Sequence, residues 1–357
     1  MSVGKPFLTA AIRLLRRDEW DDDGGDDDDA NCVKATPGPN GNVPITACNS
    51  YYNYDPQFAP AVAVAVIFGI LTTIHLVEAI ALRKRYAWVL IMGASWETIA
   101  FVLHSLGARD QQQIAYSTAW NVLFLLAPLW INAFAYMTFA RMVLYWHPEG
   151  RVAGLRATVI AKCFVWADVL SFIVQAAGGI MANPGSSADV IRIGLNIYLS
   201  GVGVQQFFIV VFVGLMYAFQ RRCNRARGTF GYDGKRNWKP LLFSQYGVLT
   251  CITVRIIFRI AEYAGGVLPS NPVPFHEEYH YALDCFPMMV ALLIVAIWHP
   301  GRYMVGPESE FPRVSRRERK QRKREKKAAV REAKEAKKQA KRDGKRQRGD
   351  RSYGHEL

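Results

Sequence analysis

Charge is what this sequence mostly lacks, and the lack is local. The 357 residues hold 44 Lys+Arg and 30 Asp+Glu, a formal net charge of +14. From Gly301 to Leu357 there are 21 basic and 9 acidic residues, so the last segment carries +12 and the first 300 residues only +2. Charge is nearly absent from several long stretches before that tail, which excludes an ordinary soluble surface over most of the chain. Other absences narrow the chemistry. None of the six cysteines is paired as Cys-x-x-Cys, so no thiolate metal or redox motif is present. No Gly-x-x-x-x-Gly-Lys-Ser/Thr loop occurs, which excludes ATP hydrolysis by that machinery. No Asn-x-Ser/Thr site is found. No cleavable signal peptide is expected, because the apolar core at Pro6–Ile12 is short and Arg13, Arg16 and Arg17 follow it. The terminal Gly354-His355-Glu356-Leu357 resembles a lumenal retention signal, but a cytosolic tail could not present it.

What is present is a series of seven apolar segments, at about Phe58–Leu82, Tyr86–Leu106, Thr118–Trp146, Thr158–Ala182, Ile193–Phe219, Pro240–Tyr263 and Tyr279–His299. Each is long enough for a helix across the roughly 30 Å of hydrocarbon in a bilayer. Helices satisfy their own backbone groups there, so the fold expected is all-α, a polytopic membrane protein of seven transmembrane helices. Three regions follow. Residues 1–57 form an acidic, irregular segment, with Asp21–Asp23 and Asp26–Asp29 ahead of a Pro/Gly/Asn-rich stretch that cannot bury a core. Residues 58–301 form the helical domain, and 302–357 a polybasic tail.

The loops set the orientation. Arg83, Lys84, Arg85, Arg151, Arg156, Arg221, Arg222, Arg225, Arg227, Lys235, Arg236 and Lys239 fall on one side, Arg109 and Arg192 on the other. Basic loops stay cytoplasmic, which puts the C-terminus in the cytosol and, with seven spans, the N-terminus outside. Cys32 and Cys48 then face an oxidising compartment and are expected to form a disulfide. The tail has almost no apolar stripe. It is either a solvated segment or an electrostatic anchor for anionic membrane lipids, and a membrane-tethered segment is not expected to bind nucleic acid.

Ionisable groups at membrane depth cost several kcal/mol or so, and therefore pair or face a cavity. Glu97 and Asp168 fall near the midplane; Gln175, Arg259, Glu262 and Asp284 lie in the outer half, with His104 at the outer end of the second span. Arg255 and Arg259 share one helix face, and Glu262 lies three residues beyond Arg259. Either these groups are salt bridges that hold helices together, or they line a polar path that receives a headgroup. Arg259 is expected to pair with Asp284 or Asp168. His75 and Glu78, three apart near the inner end of the first span, suit a structural role. Pro128 and Pro287 are expected to interrupt their helices.

Known seven-helix machinery is missing. The segment Tyr279–His299 has no lysine for a retinal Schiff base, and Ala140-Arg141-Met142 and Trp298-His299-Pro300 stand where a G-protein-coupled receptor has its signature triplet and its Asn-Pro-x-x-Tyr. His276-Glu277-Glu278-Tyr279-His280 spells the zinc-protease pattern His-Glu-x-x-His, but Pro272 and Pro274 precede it and no third ligand follows. No metal site, catalytic residue or cofactor is expected.

Several blocks in order resemble the fungal lipid-translocating exporter family, the RTA-like seven-span proteins, from about Tyr52 to Gly301. They are Tyr52-x-Tyr54-x-Pro56; His75-Leu76; Glu97; Ala127-Pro128, Tyr136 and Arg141; Phe164-x-x-x-Asp168-Val169-Leu170-Ser171-Phe172-x-x-Gln175-x-x-Gly178-Gly179; Gly201 and Gln205; Arg255-x-x-Phe258-Arg259-x-x-Glu262; and Asp284 with His299-Pro300-Gly301. Two positions depart from that pattern. Glu97-x-x-Ala100-Phe101-x-x-His104 stands where the family has Glu-x-x-Gly-Tyr-x-x-Arg, and Ala61 stands for an Asn early in the first span. The resemblance implies a non-enzymatic plasma-membrane transporter that exports or translocates amphipathic, sphingoid-base-like lipids and confers tolerance to toxic lipophilic compounds. The alternative is a seven-helix lipid sensor that signals without transport. The substrate-binding candidates are Glu97, Asp168, Gln175, Arg259, Glu262 and Asp284.

Overall fold

The computed structural model describes residues 34–311, apart from 46, 48, 148, 183–187, 227–236 and 266–270, with isolated positions beyond. The Cys32–Cys48 pair and nearly all of the basic tail lie outside the described residues. The chain divides into two units, Met1–Ser309 and Glu310–Leu357, and the helical bundle belongs to the first.

The elements run α1 (Phe58–Ala81), α2 (Trp88–Arg109), α3 (Ile114–Trp146), a two-residue-stranded hairpin β1 (Arg151–Val152) and β2 (Leu155–Arg156), α4 (Ala157–Met181), α5 (Ala188–Ala226) and α6 (Lys239–Ala264). Next come a short α7 (Glu277–His280), a π-helical turn (Tyr281–Cys285), α8 (Phe286–Ile297) and α9 (Pro300–Tyr303). Seven of these helical stretches, the last being Glu277–Tyr303, are long and apolar enough to cross a membrane. Consecutive helices pack side by side, α8 closes the ring against α6 and α1, and α3 also touches α5 and α6 from inside.

The helix ends differ from the apolar segments for a physical reason. α5 extends through Asp189 and Arg192 at one end and Arg221 to Arg225 at the other, because polar residues continue a helix beyond the depth at which apolar ones are required. Pro240 occupies the first turn of α6, where its missing N–H is no loss. Past α1, Arg83 takes the left-handed conformation (φ 53°) that ends a helix. The hairpin turn uses two positive-φ residues, Ala153 and Gly154, as a two-residue connection requires.

The two prolines behave differently. Pro128 sits within a continuous α3, whereas Pro287 follows the π turn directly. There the N–H of Phe286 reaches back five residues to the carbonyl of Tyr281. Pro287 cannot donate and crowds the preceding turn, and widening that turn by one residue relieves the conflict. The turn places Asp284 in the bundle interior, fully buried.

The described residues of 34–57 hold one 3-10 turn (Pro39–Gly41) and no other regular element, and they are docked on the bundle. Tyr52, Val43 and Ser50 are buried, Asn40 accepts from the N–H of Gln111 and Gly41 from the Gln112 side chain (2.8 Å). This segment covers the end of the bundle at which α2 stops and α3 starts, the capped end. At the opposite end, Arg302 pairs with Glu78 (2.6 Å), Lys84 donates to Ser309 (2.6 Å), and the guanidinium of Arg141 lies 3.7 Å over the Tyr86 ring.

α1 exposes Val66, Ile67, Ile70, Ile74, Val77 and Ile80 while burying Ala61, Phe68, Leu71 and His75, the reverse of a water-facing helix. Between α4 and α5 small residues bring backbones together. A β-carbon at Gly178 would meet the Tyr198 nitrogen at 2.3 Å, and one at Gly201 the Ser171 carbonyl at 2.9 Å. Gly203, also on α5, has open space. Gly178→Ala should therefore destabilise the purified protein by about 1–3 kcal/mol. Gly203→Ala should leave it unchanged or raise stability by about 0.5–1 kcal/mol, both read as thermal unfolding in detergent.

Candidate functional site

Two arginines one turn apart on α6 must enter the bundle together, and they find one carboxylate between them. Arg255 and Arg259 both pair with Asp284 from the π turn, Arg259 Nη2 at 2.5 Å from Oδ2. Of the two carboxylates that could have met Arg259, Asp284 is the one that does. Arg259 also holds Glu262 at 2.9 Å, and Arg255 donates to the Phe124 carbonyl on α3 (3.0 Å) with its guanidinium 4.3 Å over the Phe124 ring. Arg255, Arg259 and Asp284 are each at most 5% exposed, so the set is stable only because each charge has a partner.

Above it, toward the capped end, stand two histidines. His280 Nδ1 is 3.7 Å from Asp284 Oδ2, and its ring packs on Phe124 and edge-on to Trp120. His104, at the position where the sequence departs from Arg, stacks on Trp120 at 4.1 Å and contacts Glu277 Oε1 through Nε2 at 3.2 Å. Glu277 also accepts from the Gln57 backbone N–H (3.1 Å) and the Tyr281 hydroxyl (2.9 Å), which ties the N-terminal segment to the seventh span. Tyr52 and Tyr54 approach the His104 ring from that segment. Burial raises both phenols well above their usual range, so they stay neutral.

This arrangement uses the residues of the His-Glu-x-x-His motif separately. His276 precedes the helix, is half exposed and pairs with Glu278 at 2.9 Å, whereas His280 is buried beside Asp284. Among the described residues no three His, Cys, Asp or Glu side chains are placed to hold a metal ion.

The six residues singled out from sequence do not form one site. Arg259, Glu262 and Asp284 are in direct contact, and Glu97 on α2 lies within electrostatic reach of Arg255, Asp284 and Arg259. Glu97 is fully buried, and neither of its oxygens has a hydrogen-bond partner among the described residues. Gln175 donates to Gln205 on α5 (3.0 Å). The two glutamines line a narrow cleft that separates α4 and α5 from α3 and α6, with Arg255 and Arg259 on its other wall. Asp168 stands apart, between α3 and α4, where Asn132 donates to it at 3.0 Å.

Sequence reading passes over Asn132, Gln205, Trp120 and Phe124 as parts of a site. Asn132 and Gln205 carry a usable signal, an amide in an otherwise apolar span. Trp120 and Phe124 carry none, because an aromatic in such a span reads as lipid-facing or core.

The geometry defines a class, an all-helical bundle of seven apolar helices that buries a cluster of paired charges, Arg255, Arg259 and Asp284, in its interior. Residues 90–306 match the model of the family described as RTA1 like protein, and the chain belongs to that family. It is a multi-pass membrane protein and not an enzyme. It is 44% identical, over 81% of this chain and 77% of the relative, to a "Probable lipid transporter atnI" of Emericella nidulans. It is 26% identical to "Protoporphyrin uptake protein 1" of Saccharomyces cerevisiae, over 69% of this chain and 90% of that one. It is 21% identical to "Sphingoid long-chain base transporter RSB1" of the same species, over 72% and 75%. No solved structure matches it.

Removing Asp284 leaves Arg255 buried without its direct ion-pair partner, while Arg259 keeps Glu262. Asp284→Asn should cost about 3–5 kcal/mol and most of the folded yield. Adding Arg255→Gln should restore part of it, because the double variant keeps only the Arg259–Glu262 pair. Size-exclusion yield and thermal unfolding of the three proteins measure the effect.

Proposed function

We propose that this protein translocates amphipathic lipids across the membrane, taking the polar headgroup into the interior while the alkyl chain stays in the hydrocarbon. The observation that carries this reading is the cleft between the α4–α5 pair and α3–α6, whose walls hold Gln175, Gln205, Arg255 and Arg259 at membrane depth. Polar groups placed there serve a ligand or a pairing, and the glutamines keep hydrogen-bonding capacity beyond their mutual bond. Relatives described as lipid and sphingoid-base transporters support the substrate class. A cationic, sphingoid-base-like headgroup needs a carboxylate, and Asp284 and Glu262 are already committed to arginines. Glu97 and Asp168 are the carboxylates left for it.

The same reading takes the capped end as the outer face and the N-terminus as external, with the basic end in the cytosol. It places the protein in the plasma membrane and assigns the basic tail to weak attraction for anionic lipids, at about 1 kcal/mol per basic residue near the surface.

Flux of a fluorescent long-chain amine in vesicles holding only this protein tests the proposal. Glu97→Gln and Asp168→Asn should keep folded yield near wild type and cut flux at least about tenfold, the loss of roughly 1.4 kcal/mol of binding or more. Binding of the amine without flux in the wild type would make the protein a sensor. Normal flux in both variants would make these carboxylates structural.

A further inference from the structure

We propose that Glu97 is a proton site, and that a proton and the cationic headgroup of the lipid occupy it in turn, so that transport is an exchange of lipid cation for proton. This rests on the transport reading above and adds the coupling ion to it.

The interior around Asp284 holds two guanidiniums, Arg255 and Arg259, and two carboxylates that pair with them directly, Asp284 and Glu262. Among the described residues Glu97 is a third carboxylate for which no third guanidinium or ammonium group is at hand. It is fully buried, and neither oxygen accepts a hydrogen bond among the described residues. The charges acting on it are Arg255 and Arg259 from α6 and Asp284 from the seventh span, with the neighbouring Cys285 thiol also facing it; among the described residues, α1 and α3, packed on the same helix, contribute none. An ionised carboxylate in that position costs several kcal/mol or so unless something neutralises it. One monovalent cation restores balance, and a proton or an ammonium group brought in by a lipid would each supply it. Each excludes the other, which is the requirement for obligatory exchange.

Groups able to carry a proton stand on the same side of Glu97. From the capped end inward stand Glu277, His104, His280 and Asp284, with His104 Nε2 at 3.2 Å from Glu277 and His280 Nδ1 at 3.7 Å from Asp284. Trp120 lies between the two imidazoles, 4.1 Å from the first and 5.5 Å from the second. His104 lies seven residues beyond Glu97 on the same face of α2. Chains of Asp, Glu and His at membrane depth are the usual material of proton relays. In the exchange, the proton reaches Glu97 from the capped end, where these groups stand, and leaves on the opposite side. No other bond is made or broken.

Infrared difference spectroscopy on the full-length protein in vesicles tests the site without any lipid substrate. The wild type should show the carbonyl stretch of a neutral carboxylic acid that titrates with pH. Glu97→Gln should lose it, Glu97→Asp should shift it, and Asp168→Asn should keep it. A band unchanged in Glu97→Gln and in Glu97→Asp, or absent in the wild type at acid and neutral pH alike, overturns the proposal. Flux of the fluorescent amine supplies the second arm. Acidifying the capped side should accelerate movement of the amine toward that side, and His104→Phe should blunt the response. Flux indifferent to the gradient overturns the exchange and leaves transport standing. A titrating Glu97 in a protein that moves no amine overturns transport and leaves the proton site standing.

Discussion

The pairing of two α6 arginines with the single carboxylate of Asp284 is the constraint on which the interior depends. A guanidinium cannot shed its proton to escape burial, so each arginine must have its counterion delivered to it by another helix. That delivery fixes the rotation of α6, because both guanidiniums have to point at the seventh span. It fixes the seventh span as well, because the π turn aims Asp284 at them. Phe124 then finds its place by packing against Arg255 and giving it a carbonyl to bind. The apolar contacts that fill the rest of the bundle are interchangeable by comparison, since hydrocarbon solvates a leucine as well as a neighbouring helix does.

The number and order of the helices are legible from the sequence because a lipid environment imposes a length and a composition together. α1 shows this: Phe58–Leu82 as an apolar run and Phe58–Ala81 as a helix nearly coincide. Helix ends outside that environment are not legible in the same way, and α5 overshoots its apolar run at both ends. The π turn is foreshadowed only by Pro287. A proline reports that the preceding turn must change and not how, and Pro128, equally interior, leaves α3 unbroken.

The candidate site is legible in part. Burial of Arg259, Glu262 and Asp284 follows from their depth, and their contact follows from the cost of leaving any one alone. The isolation of Asp168 with Asn132 does not follow, because depth fixes height along the membrane normal and not which face of the ring a side chain enters. Nor does the cap. Residues 34–57 have the composition of a free segment, and they are held through Tyr52 and through backbone groups that bind Gln111, Gln112 and Glu277. Backbone hydrogen bonds carry no sequence signature.

The glycine contacts between α4 and α5 also govern how the bundle can move. Helices that touch backbone to backbone at Gly178 and Gly194 leave no room there for a side chain, so at that seam they can shift little relative to each other. The lining of the cleft divides along the same line, with Gln175 and Gln205 on that pair and Arg255 and Arg259 on the other wall. Any rocking of the pair therefore widens or narrows the cleft along its whole length, and draws the glutamines away from the arginines while the pairing with Asp284 stays intact.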